Sequence, residues 1–415
     1  MKPRRRIALL MLVVWLLSGI SSMAEPVIDF STPAPEEQSA PSAAPKISEA
    51  PLLTNPPISL DCGAALLVEI QSGQILFEQN ADTPRSVASI TKIMTILLTL
   101  EAIHSGRIDL EDEITVSPQA AGMGGSQVLL DIGETQNISV LLKSVIVGSA
   151  NDAAVALAET IYGSEELFVQ RMNERAAELG MENTVFVNCT GLPAEGQHTT
   201  ARDVAIMAMA MFSDSLYYEY SGIWLDEVDH HDGRVTQLTN TNKLIRLYDG
   251  CDGGKTGSTD EAGYCIAATA KRGDMRLIAV VLGAPTGTQR FDLAADMLDY
   301  GFANYRLYPV AQRGVKIRGE LPVVGGSAEG VPLALDGDLT LLIEKGGEES
   351  IALTPDLPES IEAPVSAGQQ VGSVNVLEDG RVIARIPVVA IADVSAQGLR
   401  NALRRIWENW LATRH

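Results

Sequence analysis

Three short segments carry residue types whose spacing could do chemistry. The first is Ser89-Ile90-Thr91-Lys92, the only S-x-x-K in the chain. In a helix, residues three apart share a face one turn apart, which would set Lys92 beside Ser89. A serine hydroxyl attacks poorly until a base takes its proton. A lysine can be that base only when neutral, and burial and the positive end of a helix both favour the neutral form. The ordinary alternative is a capping serine and a solvated lysine.

The second segment, Ser149-Ala150-Asn151, lies sixty residues on. Functionally, Ser149 would relay a proton between Lys92, Ser89 and a leaving amine, and the Asn151 amide would hold a peptide group. The same pattern recurs at Ser373-Val374-Asn375, so by itself it is equally a helix cap. The third is Lys255-Thr256-Gly257, the only K-T-G, followed by Ser258 and preceded by Gly253-Gly254. Lys255 and the Thr256 hydroxyl suit a carboxylate, and Gly257 would leave room beside a strand edge for an acyl chain. Alone it also describes a strand-end turn with a solvated lysine. Each segment favours its ordinary reading; their order and spacing together favour a serine acyl-transfer site.

The elements that must position these residues follow from periodicity. Ala64–Ile70 and Gln74–Glu78 alternate about Gln71-Ser72-Gly73 and predict a hairpin. Helices are predicted over Ser89–Ser105, Ile138–Val147, Asp152–Tyr162, Glu165–Leu179, Ala201–Phe212 and near Arg290–Tyr305, with strands at Gly263–Ala270 and Leu277–Leu282. Early and late strands around a helical middle predict one sheet closed by both ends of the segment. Residues 309–406 contain no Phe, Tyr or Trp. Their short runs (Val315–Leu321, Leu339–Glu344, Val371–Leu377 and Val382–Val389, with a tight turn at Asp379-Gly380) predict a small β domain serving as a spacer.

Composition excludes some functions. A formal charge of −22 over 415 residues offers no basic face to nucleic acid. The basic exceptions are at the ends. Lys2, Arg4, Arg5 and Arg6 precede the apolar run Ile7–Leu17 and Ser22-Met23-Ala24, the pattern of a cleaved signal peptide over 1–24. Residues 25–57 hold eight of twenty prolines and read as a linker. The exported compartment permits disulfides among Cys62, Cys189, Cys251 and Cys265. Cys251 and Cys265 flank an expected hairpin and are the favoured pair; four reduced, buried thiols are the alternative. His230-His231 with Asp232 reads as an exposed polar turn rather than a metal site.

Taken together, the residues resemble the penicilloyl-serine transferases, and more narrowly the low-molecular-mass penicillin-binding proteins of the D-alanyl-D-alanine carboxypeptidase group. The resemblance rests on Ser86–Thr95, Asn188-Cys189-Thr190-Gly191-Leu192-Pro193, Thr199–Asp203, Asn240–Leu244, Asp252–Thr259 and Met297–Phe302. It implies an α/β (α+β) fold: a β-lactamase/transpeptidase-like catalytic domain with an antiparallel sheet and a helical region over 58–305, a small all-β domain over 306–392, and a C-terminal amphipathic helix over 396–415. It implies that Ser89, activated by Lys92, attacks the penultimate D-alanine carbonyl of a peptidoglycan stem peptide, with Ser149 as proton relay. Asn151, Lys255, Thr256, Gly257 and Ser258 would bind substrate, and the backbone N–H groups of Ser89 and Ser258 would form the oxyanion hole. β-Lactams would block Ser89, and neither a metal nor another cofactor is needed.

Two other readings stand beside this one. A class A β-lactamase would carry a deacylating glutamate in an E-x-x-x-N pattern, which Glu178 and Glu182 do not supply. A non-catalytic penicillin-binding sensor would not need the intact trio Ser89, Lys92 and Ser149. The last segment places Leu399, Ala402, Leu403, Ile406, Trp407 and Trp410 on one helical face and Arg400, Arg404 and Arg405 on the other. That suits a helix lying on an anionic bilayer, at the outer face of the bacterial cytoplasmic membrane, or docked on the protein body. A wholly secreted enzyme is the other localisation.

Overall fold

A computed structural model describes residues 46–48, 59–230 and 232–398. The expected signal peptide, nearly all of the linker and all but the first three residues of the expected C-terminal helix lie outside them. The chain separates into two compact units, one ending at Arg306 and one beginning at Leu307.

The first unit is built on a five-stranded antiparallel sheet in the order Ile75–Gln79, Ala64–Glu69, Met275–Ala284, Gly263–Arg272, Cys251–Thr259. Early and late strands do meet, with Leu66 opposite Val280. Every residue of Ala64–Glu69 is buried, so both faces of the sheet are covered. Gln289–Asn304 and Ala201–Phe212 both pack on Met275–Ala284. Glu69 closes the first hairpin: its carboxylate accepts from the Gln71 and Ser72 amides and the Ser72 hydroxyl.

Helix Lys92–His104 runs through the middle of the helical region, with ten residues from Lys92 to Ala102 buried. A helix apolar on nearly all sides belongs inside a core, and this one packs on Asn151–Tyr162 and Ala201–Phe212. A 3-10 turn, Ala88–Thr91, precedes it. The helix expected over Ile138–Val147 stops at Lys143 and continues as a π turn, Ser144–Gly148. Periodicity did not single out the hairpin Leu225–Asp229 with Val235–Thr239.

The second unit is a six-stranded sheet in the order Ile351–Asp356, Gln370–Glu378, Arg381–Ala390, Gly330–Leu335, Lys316–Val324, Ile361–Glu362. Its pairings are antiparallel except the last. Asp379 and Gly380 have φ of 47° and 80° between the partners Glu378 and Arg381, as a two-residue hairpin turn requires.

Candidate active site

The turn that carries Ser89 is strained and tightly enclosed. Ala88, immediately before Ser89, has φ of 50°, a region that costs a residue with a Cβ about 1–2 kcal/mol. Two glycines hold it from either side. A Cβ on Gly191 would lie 2.0 Å from the Ala88 carbonyl oxygen, and one on Gly257 would lie 2.6 Å from that of Val87 and 2.9 Å from the Ser89 nitrogen. The close approach expected at Gly257 is therefore to the Ser89 turn itself.

Lys92 is fully buried. Its Nζ lies 3.0 Å from Ser89 Oγ, 2.5 Å from Asn151 Oδ1 and 2.7 Å from the Thr190 carbonyl. Burial pulls its pKa from 10.5 down to about 7, against the opposing influence of Cys189 and Asp152. The hydrogen-bond count fits the neutral form. Asn151 Oδ1 and the Thr190 carbonyl can only accept, and a neutral amine has two N–H bonds and one lone pair. A charged ammonium would donate to all three partners; once neutral, an amine donating to those two would turn its lone pair to the Ser89 hydroxyl.

Ser149 ends the π turn in the left-handed region, with φ of 61°. Its Oγ accepts from Lys255 Nζ at 2.7 Å, and it makes no hydrogen bond to Ser89 or Lys92. Lys255 also donates to the Thr256 carbonyl at 3.0 Å. Burial, then the charges of Lys92 and Arg290, push the Lys255 pKa well below its usual value. Thr256 is buried, whereas Ser258 is exposed on the edge strand opposite Tyr264. Arg290 Nη1 donates to the Gly257 carbonyl at 3.1 Å. The edge strand is pinned where it enters the site: Asn242 donates to the Gly253 carbonyl, and Tyr217 OH contacts both the amide and the carbonyl of Gly254.

All three motifs thus converge, with two differences of detail. The Asn151 amide, expected to face a ligand, is engaged within the protein: Oδ1 accepts from Lys92 and Nδ2 donates to the Gly124 carbonyl at 2.6 Å. Sequence reasoning also missed Thr190 as a partner of Lys92. The matching stretch Asn188–Pro193 was the signal, but a backbone carbonyl carries no residue-type signature.

Two other expectations are corrected. Cys251 pairs with Ala270 and Cys265 with Gly257. Six residues of ladder, about 20 Å, separate Cys251 from Cys265, far beyond a disulfide's reach. All four cysteines are free, three of them buried. His230 is not on an exposed turn: it is 1 % exposed, with its ring nitrogens 2.8 Å from Glu134 Oε1 and 2.9 Å from Thr236 Oγ1. Asp232 instead pairs with Arg234. His231 lies outside the described residues.

Comparison with known proteins agrees with this geometry. The sequence profile of the D-alanyl-D-alanine carboxypeptidase peptidases matches residues 50–286. That of the penicillin-binding protein 5 C-terminal domain matches 305–396. The D-alanyl-D-alanine carboxypeptidase DacF of Bacillus subtilis is 38 % identical over 348 residues, covering 84 % of this chain and 89 % of that one. DacC of Escherichia coli is 34 % identical over 358 residues, covering 84 % and 88 %. Penicillin-binding protein 5 from Haemophilus influenzae superposes with a TM-score of 0.68 at 32 % identity, over 82 % of this chain and all but 1 % of its own. Penicillin-binding protein D2 from Listeria monocytogenes, solved with ampicillin bound, superposes with a TM-score of 0.53 at 31 % identity, over 60 % of this chain and 99 % of its own. With Ser89, Lys92 and the K-T-G strand brought together on this fold, the chain belongs to the D-alanyl-D-alanine carboxypeptidase family of serine peptidases.

Proposed function

We propose that the enzyme removes the terminal D-alanine from peptidoglycan stem pentapeptides through an acyl-enzyme on Ser89. The observation that carries this reading is the buried Lys92 amine, 3.0 Å from Ser89 Oγ. Lys92 takes the Ser89 proton as Oγ attacks the penultimate carbonyl. The amides of Ser89 and Ser258 receive the developing oxyanion. Ser149, whose Oγ accepts from Lys255, gives its hydroxyl proton to the nitrogen of the departing D-alanine and takes in exchange the proton that Lys92 removed from Ser89, which returns both groups to their starting state. Its carboxylate is held at Lys255, Thr256 and Ser258 on the edge strand. Asn151 serves mainly by aligning Lys92, and Gly257 by admitting the nucleophile's turn. Water deacylates the enzyme through the same Lys92–Ser149 groups.

A β-lactam acylates Ser89 in the same way and stays. The β-lactamase alternative is disfavoured because no E-x-x-x-N lies between Asn151 and Lys255. The catalytic domain (58–305) and the spacer-like β domain (306–392) follow the signal peptide 1–24 and the linker 25–57. The expected helix 396–415 does not begin at 396, where Ala396 bridges Gly326 and residues 396–398 are not helical; its remainder, beyond the described residues, is the segment that would hold the exported enzyme on the outer face of the cytoplasmic membrane. Among the described residues no helix is long and apolar enough to cross a membrane. The test is D-alanine release from a synthetic pentapeptide ending in D-alanyl-D-alanine, for wild type and Ser89→Ala. Loss of release and of penicillin labelling is expected; release unchanged by the substitution would overturn the assignment.

A further inference from the structure

Asp152 belongs to no motif used above, yet it is fully buried beside Asn151 and has no salt bridge among the described residues. Its carboxylate is held by backbone amides alone. Val128 N donates at 3.1 Å, Leu130 N at 3.2 Å and Ala153 N at 2.9 Å. The residue between the first two donors, Leu129, has φ of 65° and a side chain 56 % exposed. A leucine in the left-handed region costs about 1–2 kcal/mol, and burial does not compensate it here. What the conformation achieves is to aim the two amides on either side of Leu129, those of Val128 and Leu130, at one carboxylate oxygen, as a backbone nest does.

The loop held in this way faces the base. Gly124 O accepts from Asn151 Nδ2 at 2.6 Å and Ser126 O accepts from Asn151 N at 2.7 Å. A Cβ on Gly125 would sit 2.8 Å from Asn151 Nδ2. Asn151 Oδ1 in turn is one of the two acceptors that orient Lys92. On its outer side the loop is fixed by Thr236 Oγ1 donating to Val128 O at 2.9 Å and by Arg234 Nη1 donating to Leu129 O at 3.0 Å.

We propose that Asp152 is a positioning residue for the general base: its carboxylate locks the 124–130 loop onto Asn151, and its charge sets the electrostatic surroundings of Lys92. This rests on Lys92 being the base. The ionisable groups around Lys92 are Cys189, Asp152 and Lys255, besides its neutral contacts Ser89, Asn151 and Thr190. Asp152 favours the charged amine. Removing its charge therefore lets Lys92 become neutral at lower pH, while loosening the loop slows the reaction at every pH.

The test is the acylation rate of the full mature chain by a fluorescent penicillin, followed across pH for wild type, Asp152→Asn, Asp152→Glu and Thr236→Val. In Asp152→Asn the rising limb moves to lower pH by about half a unit or more, and the plateau falls about tenfold. Asp152→Glu retains the wild-type limb with a lowered plateau. Thr236→Val, which removes the contacts of Thr236 to the Val128 carbonyl and to His230 but leaves the Asp152 charge in place, leaves the limb unmoved. An Asp152→Asn limb unmoved in a folded protein overturns the proposal. If Asp152→Asn does not fold, Asp152→Glu decides: a moved limb or an undiminished plateau overturns it. A wild-type rate with no rising limb, or a Lys92→Gln variant acylating normally, overturns instead the assignment of Lys92 on which the proposal stands.

Discussion

The two units bury different things. From Glu69 to Thr269 the first holds every buried polar residue described, including Lys92, Ser149, Asn151, Asp152, Lys255 and Thr256, and the β unit holds none. Among non-glycine residues, positive φ occurs at Asn80, Ala88, Leu129 and Ser149 in the first unit; in the second it occurs only at the hairpin residue Asp379. The β unit is closed by apolar ladder residues such as Val331, Val376, Val388 and Ala390, all fully buried. Desolvating an amine costs free energy that alternating valines never incur. The first unit tolerates that cost, and the backbone strain beside it, where Ser89 must meet its base. Among the described residues, the second buries apolar side chains inside its hydrogen-bonded sheet.

Substitutions can break or sharpen this contrast. The largest effect is expected from Lys92→Gln, which removes the base and leaves a side chain near its length: penicillin acylation should fall by about 10³-fold or more, with the thermal midpoint retained. Next are Gly191→Ala and Gly257→Ala. Each added methyl meets the backbone of the nucleophile's turn at 2.0 Å or 2.6 Å, and a displacement of about 1 Å there should cost about 10²-fold in acylation rate. Wild-type rates in either variant would remove the argument from close packing.

The pH dependence is a smaller and reversible probe. Lys92 is charged and inactive below its pKa of about 7 and neutral above it. Acylation should thus rise tenfold per pH unit at acid pH and level off beyond neutrality. The smallest effect on chemistry belongs to the other unit. Leu333→Ala empties a position only 3 % exposed in the β core and should cost about 2–4 kcal/mol of that unit's stability. The acylation rate at a temperature where both units are folded should not change. A large loss of acylation there would show that the two regions are not as separate in role as their interiors suggest.

The sequence carried the site better than the fold's irregularities. Ser89, Lys92 and Lys255 were legible because side-chain type and spacing encode their chemistry. The partners of Lys92 were less so. Thr190 contributes a carbonyl, which any residue would supply. The approach of Gly191 to Ala88 depends on tertiary packing. The end of the helix at Lys143 was hidden because Ser144–Gly148 continues the same apolar pattern while the backbone widens to place Ser149 at positive φ. The strand Gly263–Arg272 outran its expected limit by two residues at its C-terminal end, and Met275–Ala284 by two at each end. Cys251 and Cys265 were misjudged because proximity in a hairpin is set by register, and the ladder places them six residues apart. His230 was misread as exposed because its partners, Glu134 and Thr236, come from a neighbouring loop and strand that periodicity alone cannot bring together.

The central claim is that Lys92 is neutral at working pH and holds its lone pair toward Ser89. It is tested most directly by NMR titration of the lysine side chains, with the Lys92 resonance assigned by its loss in Lys92→Gln. The account predicts a Lys92 midpoint near 7, where burial has brought it. A midpoint near the ordinary value of 10.5 would leave Ser89 facing a cation throughout the working range and would contradict it.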